Sequence, residues 1–152
     1  MRIGFIVNEV EKEHNSYSTT HMALCANRRG HEIYYMGVGD LACYSSGMMG
    51  AHARRLLPEK KFRTAATLLE HLVKTEQVGI TASDLDVIML RNDPAEDIEK
   101  RPWAQNAGLI FGQMAVKQGV IVLNDPTSLS NAMNKMYFQY FPEKVRPMSI
   151  IT

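Results

Sequence analysis

The chain has 152 residues, of which 45% are hydrophobic and 22% are charged, a composition typical of one ordinary domain with a single core. Lysine and arginine together number 17 against 16 aspartate and glutamate residues, so the formal net charge is +1. This balance gives no indication of a nucleic-acid or acidic-membrane surface, and we predict neither partner.

Cysteine usage and the N-terminus predict a cytoplasmic protein. The two cysteines, Cys25 and Cys43, are too few for a disulfide framework, which favours a reducing compartment. Arg2 precedes a short apolar run at 3–7 that is followed at once by glutamates, too short and too acidic for a signal peptide. No later stretch is long enough to span a membrane.

Short apolar runs alternate along the chain with segments of helical period, the pattern that builds a parallel sheet covered by helices. Residues 3–7 are apolar without alternation, as expected of a central strand buried on both faces. Ser18 can cap a first helix that ends before Gly30. A second strand is then predicted at 31–36, and helical spacing at 62–73 predicts a second helix.

The second half continues this alternation, with a third strand at 86–90 and a fourth at 120–123. Pro102 suits the first position of a helix that runs to Gly119. We expect this helix to bury one apolar face: Trp103, Ala107, Ile110 and Met114. Beyond Pro126 a further amphipathic helix is predicted to end near Pro142, with the apolar face Leu129, Ala132, Met133, Met136 and Tyr140. A last strand is predicted at 149–152.

Arg91 is the sharpest candidate for a site, because ligands bind at the carboxyl ends of strands in such sheets. Its guanidinium offers a planar fork for a carboxylate or a phosphate. The alternative interpretation is a structural arginine paired with Asp93 or Asp97. Position alone indicates a solvated surface residue for Lys135. The pair Asn8 and Glu9 is typical of turns and caps.

Other common motifs are missing. The histidines are scattered and no His or Cys pair has metal-site spacing, so we predict no metal site in this chain. Gly37-Val38-Gly39 begins like a dinucleotide fingerprint but lacks the third glycine and the following helix. The sequence also lacks a phosphate-loop motif and a nucleophile elbow.

Four blocks, in order, resemble bacterial glutathione synthetase and its ATP-grasp relatives. The first block is RRGHEIYYM at 28–36 with GDL at 39–41, and the second is AHAR at 51–54 followed by Leu56. The third is DLDVIMLRNDP at 84–94. The fourth consists of Asn124, Pro126, Ser128, Leu129 and Lys135.

The resemblance implies the N-terminal, pre-ATP-grasp domain of that family, an α/β three-layer fold with a mostly parallel, Rossmann-like sheet flanked by helices. Residues 1–124 would form the pre-ATP-grasp substrate domain. Residues 125–152 would form a connecting helix and the start of the ATP-grasp region, with the remainder absent. We therefore expect one part of a larger ligase, inactive alone, because the chain stops about where the family's ATP-binding lid begins.

The implied reaction joins glycine to γ-glutamylcysteine with ATP and Mg²⁺, through an acyl phosphate, to make glutathione. In the family the arginine matching Arg91 lies at the peptide-substrate and phosphate side of the cleft, where a catalytic role is expected, and the lysine matching Lys135 contacts ATP. The metal ligands lie mostly in the absent C-terminal part. The residues implied to lie toward the peptide substrate are Asn15, Ser16, Ser18 and Thr19, together with Arg91.

Three departures from the family pattern leave the peptide substrate open. Asn8 replaces a usual aspartate, Ala95 a second proline, and Asp125 a common basic residue. A related ligase for other amino acids or peptides is one alternative. Another is a stand-alone small-molecule-binding or assembly module. An assembly module would form a homo-oligomer, because members of the family associate through N-terminal regions. A receiver-type module is disfavoured because Glu9 has no acidic partner beside it.

Overall fold

The computed structural model describes residues 1–146 and 148, so the strand predicted at 149–152 lies outside the described residues. The described strands are β1 (Arg2–Val7), β2 (Glu32–Gly37), β3 (Leu41–Cys43), β4 (Met49–Leu56), β5 (Gln77–Thr81), β6 (Val87–Leu90) and β7 (Ile121–Leu123). The described α-helices are α1 (Ser18–Arg28), α2 (Ala65–Lys74), α3 (Ala107–Lys117) and α4 (Pro126–Asn131). Short 3₁₀ turns connect several of these elements.

All seven described strands form one mixed, curled sheet in the order β3-β4-β2-β1-β6-β7, with β5 paired to the remaining edge of β4. Pairing is parallel from β2 through β1 and β6 to β7. These are the four strands that the apolar runs predict, so the α/β prediction is confirmed. Antiparallel pairing attaches β3, β4 and β5, so three of the six described strand pairings are antiparallel and the sheet is mixed rather than mostly parallel as predicted.

The antiparallel strands escape sequence prediction because they lack a strong apolar run. In β4 the inward positions include Ala51 and Ala53, while His52 and Arg55 are exposed between and after them. Small residues facing inward give a weak hydrophobic signal even where they are fully buried.

Helices cover both faces of the sheet, as the three-layer prediction requires. On one face Leu24 of α1 and Leu68 of α2 pack in a cluster with Phe5 and Tyr35, whose rings stack at 5.3 Å between centroids. On the other face Phe111 of α3 packs in a cluster with residues of β1, β2 and β6. Successive residues of β1 thus reach opposite layers, because side chains alternate along a strand.

The predicted helix between Pro102 and Gly119 is shorter than expected and buries a different face. A 3₁₀ turn occupies Pro102–Ala104, and α3 begins only at Ala107. Trp103 and Ile110, predicted to be buried, are 65% and 57% exposed. The buried residues of α3 are Gly108, Leu109, Phe111, Gly112 and Ala115. The prediction was wrong because glycines carry no hydrophobic signal, although they allow close approach to the sheet.

The long amphipathic helix predicted beyond Pro126 is also wrong. Helix α4 ends at Asn131, and a separate 3₁₀ turn spans Lys135–Tyr140. Asn134 starts this turn, because its Oδ1 accepts a hydrogen bond from the Met136 N–H at 2.9 Å. Among the residues of the predicted apolar face, Met133, Met136 and Tyr140 are exposed.

Cys25 and Cys43 are free and exposed. Within residues 1–146 and 148, no helix has the length and apolar character needed to cross a bilayer.

Candidate functional site

A cleft opens where the carboxyl ends of β1 and β6 meet the first turn of α1. Because β1 and β6 are parallel neighbours, the segments that follow them lie side by side. The cleft has a volume of about 440 Å³ and is lined from the segments 8–13, 16–19 and 91–96. This volume falls within the range of about 300–1,000 Å³ typical of small-molecule sites. We name it the Arg91 cleft.

Arg91 is fixed at both its backbone and its side chain. Its N–H donates to the Ile6 carbonyl at 2.8 Å, which extends the β1–β6 ladder by one residue. Its Nε donates to Thr19 Oγ1 at 3.1 Å, and its Nη2 donates to Ser18 Oγ at 3.0 Å. Among the described residues, Arg91 forms no ion pair within 4.0 Å, so the predicted pairing with Asp93 or Asp97 is not observed.

Asn8 fastens the segment after β6 to the end of β1. Its Oδ1 accepts from the Asp93 N–H at 2.7 Å, and its Nδ2 donates to the Asp93 carbonyl at 2.8 Å. The same Nδ2 donates to Asp97 Oδ2 at 2.8 Å. One amide therefore restrains the backbone two residues beyond Arg91, a contact between residues 85 apart in sequence.

The carboxylate of Asp97, which Asn8 contacts, is buried and also binds Arg101. We call the contacts among Asn8, Asp97 and Arg101 the Asn8 bridge. Asp97 is only 1% exposed, and Arg101 donates to it from Nε at 2.9 Å and from Nη2 at 2.7 Å. Arg101 also donates to the Asn8 carbonyl at 3.2 Å and lies 3.2 Å from Glu9 Oε1. These contacts satisfy a charge that would be costly to bury alone. The four-residue spacing of Asp97 and Arg101 was the only sequence signal for this pair.

Glu13 adds a partly buried carboxyl group to the same cleft. Thr20 Oγ1 donates to Glu13 Oε2 at 3.4 Å. Burial raises the pKa of Glu13 above its usual value and nearby Glu96 adds to this rise, whereas the Thr20 hydrogen bond and Arg91 oppose it. Acidic and basic groups thus face one cavity from different elements.

A second, more apolar cleft of about 410 Å³ lies on the other side of Arg91. Leu90, Leu109 and Leu129 contribute to its wall, so it extends between α3, α4 and the end of β6. Asn124 also lines it, and its Nδ2 donates to the Leu90 carbonyl at 3.3 Å. Arg91 therefore separates a polar cleft from an apolar one.

The structure brings together most of the residues predicted from the sequence. Arg91 contacts Ser18 and Thr19 directly, and Ser16 lines the same cleft. Asn15 is exposed in the loop before α1 and does not line the cleft. Lys135 begins the last 3₁₀ turn, and its side chain lies outside the described part of the structure. The functional roles of these six residues stay predictions.

The described residues offer no evident metal site. No three His, Cys, Asp or Glu side chains within this part of the chain are grouped closely enough to hold an ion. The carboxylate of Asp97 is already engaged by Arg101 and Asn8, which removes it as a metal ligand.

An α/β domain with a polar cleft at the carboxyl edge of its sheet belongs to a broad class of ligand-binding domains. Comparison with known families narrows this class. The family model described as prokaryotic glutathione synthetase, N-terminal domain, matches residues 1–130. The chain belongs to this family.

Individual relatives agree with the family match. Glutathione synthetase of Pseudomonas syringae pv. tomato is 30% identical over 148 residues, which cover 97% of this chain and 43% of that protein. Glutathione synthetase of Escherichia coli is 26% identical over 160 residues, covering 100% of this chain and 44% of that protein. The Vibrio cholerae glutathione synthetase is 30% identical over 156 residues, with the same coverage of 100% and 44%. The chain therefore spans less than half the length of these relatives.

Proposed function

We propose that this chain forms the substrate domain of an ATP-dependent ligase that joins glycine to γ-glutamylcysteine and makes glutathione. The observation that carries the proposal is the family match over residues 1–130, which includes the whole Arg91 cleft. An α/β fold alone would not support it, because such folds host many unrelated activities.

The proposed reaction has two steps. ATP, as a substrate, transfers its γ-phosphoryl group to the cysteinyl carboxylate of γ-glutamylcysteine, which gives an acyl phosphate and ADP. The deprotonated amine of glycine then attacks the acyl carbon. A C–N bond forms, the C–O bond to phosphate breaks, and inorganic phosphate leaves with the proton that the amine gives up. Phosphoryl transfer of this kind depends mainly on positioning and on stabilisation of negative charge.

In this proposal the Arg91 cleft holds the peptide substrate. Ser18 and Thr19 orient the guanidinium without neutralising it, because neutral hydroxyls accept its hydrogen bonds. Its other N–H donors are then available to a substrate carboxylate, the geometry for which arginine is well suited. The hydroxyl of Ser16 faces the same peptide, and Asn15 is proposed to approach it from the exposed loop.

ATP and magnesium are proposed to bind mainly through parts of the protein outside the described residues. Magnesium would offset the charge of the phosphates during transfer. The chain spans less than half the length of the relatives it matches, and it is proposed to be inactive alone. Lys135 is proposed to contact ATP.

The test uses the protein as expressed in its source cells, captured with an antibody raised against this chain. With ATP, Mg²⁺, γ-glutamylcysteine and glycine present, glutathione and phosphate should appear in equal amounts. Omitting any one substrate should stop both. ATP hydrolysis that ignores γ-glutamylcysteine would contradict the proposal. Product formed with another acceptor in place of glycine would keep the ligase class but replace the substrate.

A further inference from the structure

Charges in the Arg91 cleft are incompletely paired. Six charged side chains line the cleft, and Lys12 and Glu9 among them form an ion pair at 2.6 Å. Asp93 uses Oδ1 to accept the Ala95 N–H at 2.9 Å. The other three charged side chains of the cleft are Arg91, Glu13 and Glu96. None of these three has an ion-pair partner within 4.0 Å among the described residues.

The three unpaired groups have opposite signs and come from different elements. Arg91 follows β6, Glu13 precedes α1, and Glu96 lies in the 3₁₀ turn Pro94–Asp97. A purely anionic ligand such as phosphate would meet one available guanidinium and an excess of carboxylates, which is unfavourable. A ligand that carries both a carboxylate and an ammonium group would complement the cleft.

The environment of Glu13 favours a cationic ligand group beside it. The only described hydrogen bond to its carboxylate is the 3.4 Å contact from Thr20, which is at the long end of the normal range. Glu13 is half-buried, and burial raises its pKa because the charged form loses solvation. An ammonium group placed beside it would supply the missing counter-charge.

We infer that the Arg91 cleft recognises the zwitterionic end of an amino acid, with the α-carboxylate on Arg91 and the α-ammonium on Glu13 and Glu96. This inference rests on the proposed function, in which the zwitterionic end is the glutamyl head of γ-glutamylcysteine. Both charged groups are attached there to one carbon. The cysteinyl carboxylate that reacts then lies at the other end of the peptide. Arg91 therefore anchors the substrate head rather than the transferring phosphate.

The experiment compares γ-glutamylcysteine with glutarylcysteine, which lacks only the α-amino group. Calorimetric titrations of the full-length gene product give the dissociation constant of each peptide. The wild type should prefer γ-glutamylcysteine by about tenfold or more, in line with the coupling of close charge pairs. The double variant Glu13→Gln/Glu96→Gln should lose most of this preference. Glu70→Gln, at an exposed position of α2, is the matched control and should keep it.

The outcomes separate this inference from the proposed function. Equal binding of the two peptides to the wild type, or an unchanged preference in the double variant, would overturn the inference while the substrate assignment stands. If neither peptide binds, the substrate assignment fails. L-Glutamate and glutarate then test the zwitterion site by themselves, and the absence of a preference for L-glutamate overturns it. Circular dichroism of each variant verifies that the fold is retained.

Discussion

Arg91 Nε lies 3.1 Å from Thr19 Oγ1, and this hydrogen bond joins the end of β6 to the first turn of α1 across 72 positions of sequence. Thr19 is 5% exposed, so its hydroxyl is held in one place by the surrounding core. The contact aims the guanidinium into the cleft and leaves its charge intact. An arginine that binds a substrate carboxylate requires this combination.

Removing the Thr19 hydroxyl should loosen Arg91. Thr19→Val keeps the shape of the side chain but cannot accept from Nε, so the dissociation constant for γ-glutamylcysteine should rise about three- to tenfold. Thr19→Ser retains Oγ and should bind nearly as well as the wild type. Calorimetry on both variants measures this difference, and equal affinities would show that the hydrogen bond does not position Arg91.

The Asn8 bridge should contribute to stability as well as to the site. Asn8→Ala removes three hydrogen bonds, one of them to the buried carboxylate of Asp97. The free energy of unfolding in urea should fall by about 1–3 kcal/mol. Asn8→Asp should be at least as damaging near neutral pH, because it places a second carboxylate beside Asp97. Wild-type stability in Asn8→Asp would contradict this account of the bridge.

Close packing of α3 on the sheet predicts an unusual response to alanine. At Gly112 an added Cβ would lie 2.9 Å from Leu90 Cδ1 and 3.2 Å from Pro126 Cβ. The steric crowding should destabilise the fold by about 1–3 kcal/mol, whereas the better helix propensity of alanine should stabilise it by about 1 kcal/mol. Gly112→Ala should therefore lower the Tm. Gly79→Ala is the control, because a Cβ added at that position would have nothing within 4 Å. An equal or higher Tm for Gly112→Ala would argue against the tight contact.

Sequence patterns predict the elements that bury large apolar side chains. The strands around Phe5 and Ile88 were found for this reason, and so was α2. The buried face of α3 was mispredicted because Gly108 and Gly112 lie against the sheet. For the site, the position of Arg91 after a strand was sufficient to single it out.

The bridge beneath Arg91 could not be predicted in the same way. Asn8 and Asp97 are 89 positions apart, and nothing local in either segment marks their contact. Glu13 was likewise missed, because its partial burial depends on how the loop before α1 folds over the cleft. Groups of this kind are recognised only in the folded structure, which brings distant segments of the chain together.

Protonation of Glu13 should make a measurable contribution to the pH dependence of stability. Burial raises its pKa in the folded state above the ordinary value of 4.5, with Glu96 raising it further and Thr20 and Arg91 lowering it. Burial, and to a lesser extent the charge of Glu13, raises the pKa of Tyr35. A raised carboxyl pKa stabilises the fold fully below the unfolded pKa, and this contribution is lost as the pH rises through the folded pKa.

Glu13→Gln should therefore be more stable than the wild type at pH 7. The difference should shrink as the pH falls through the raised folded pKa and be absent below the unfolded pKa of 4.5. Urea unfolding at several pH values measures it, with Glu70→Gln as the exposed control. A variant that is less stable than the wild type at pH 7 would show that the charged carboxylate stabilises the fold. Greater stability together with weaker ammonium recognition would separate the binding role of Glu13 from folding.

The most direct test of the central claim is the steady-state kinetics of Arg91→Ala in the full-length gene product. Arg29→Ala is the matched control, because Arg29 is exposed at the opposite end of α1 and its loss changes the net charge equally. We predict that kcat/KM for γ-glutamylcysteine falls by about a hundredfold or more in Arg91→Ala, as expected for a charged substrate contact, and stays unchanged in Arg29→Ala. Normal turnover by a folded Arg91→Ala enzyme would contradict the claim that the Arg91 cleft binds the peptide substrate.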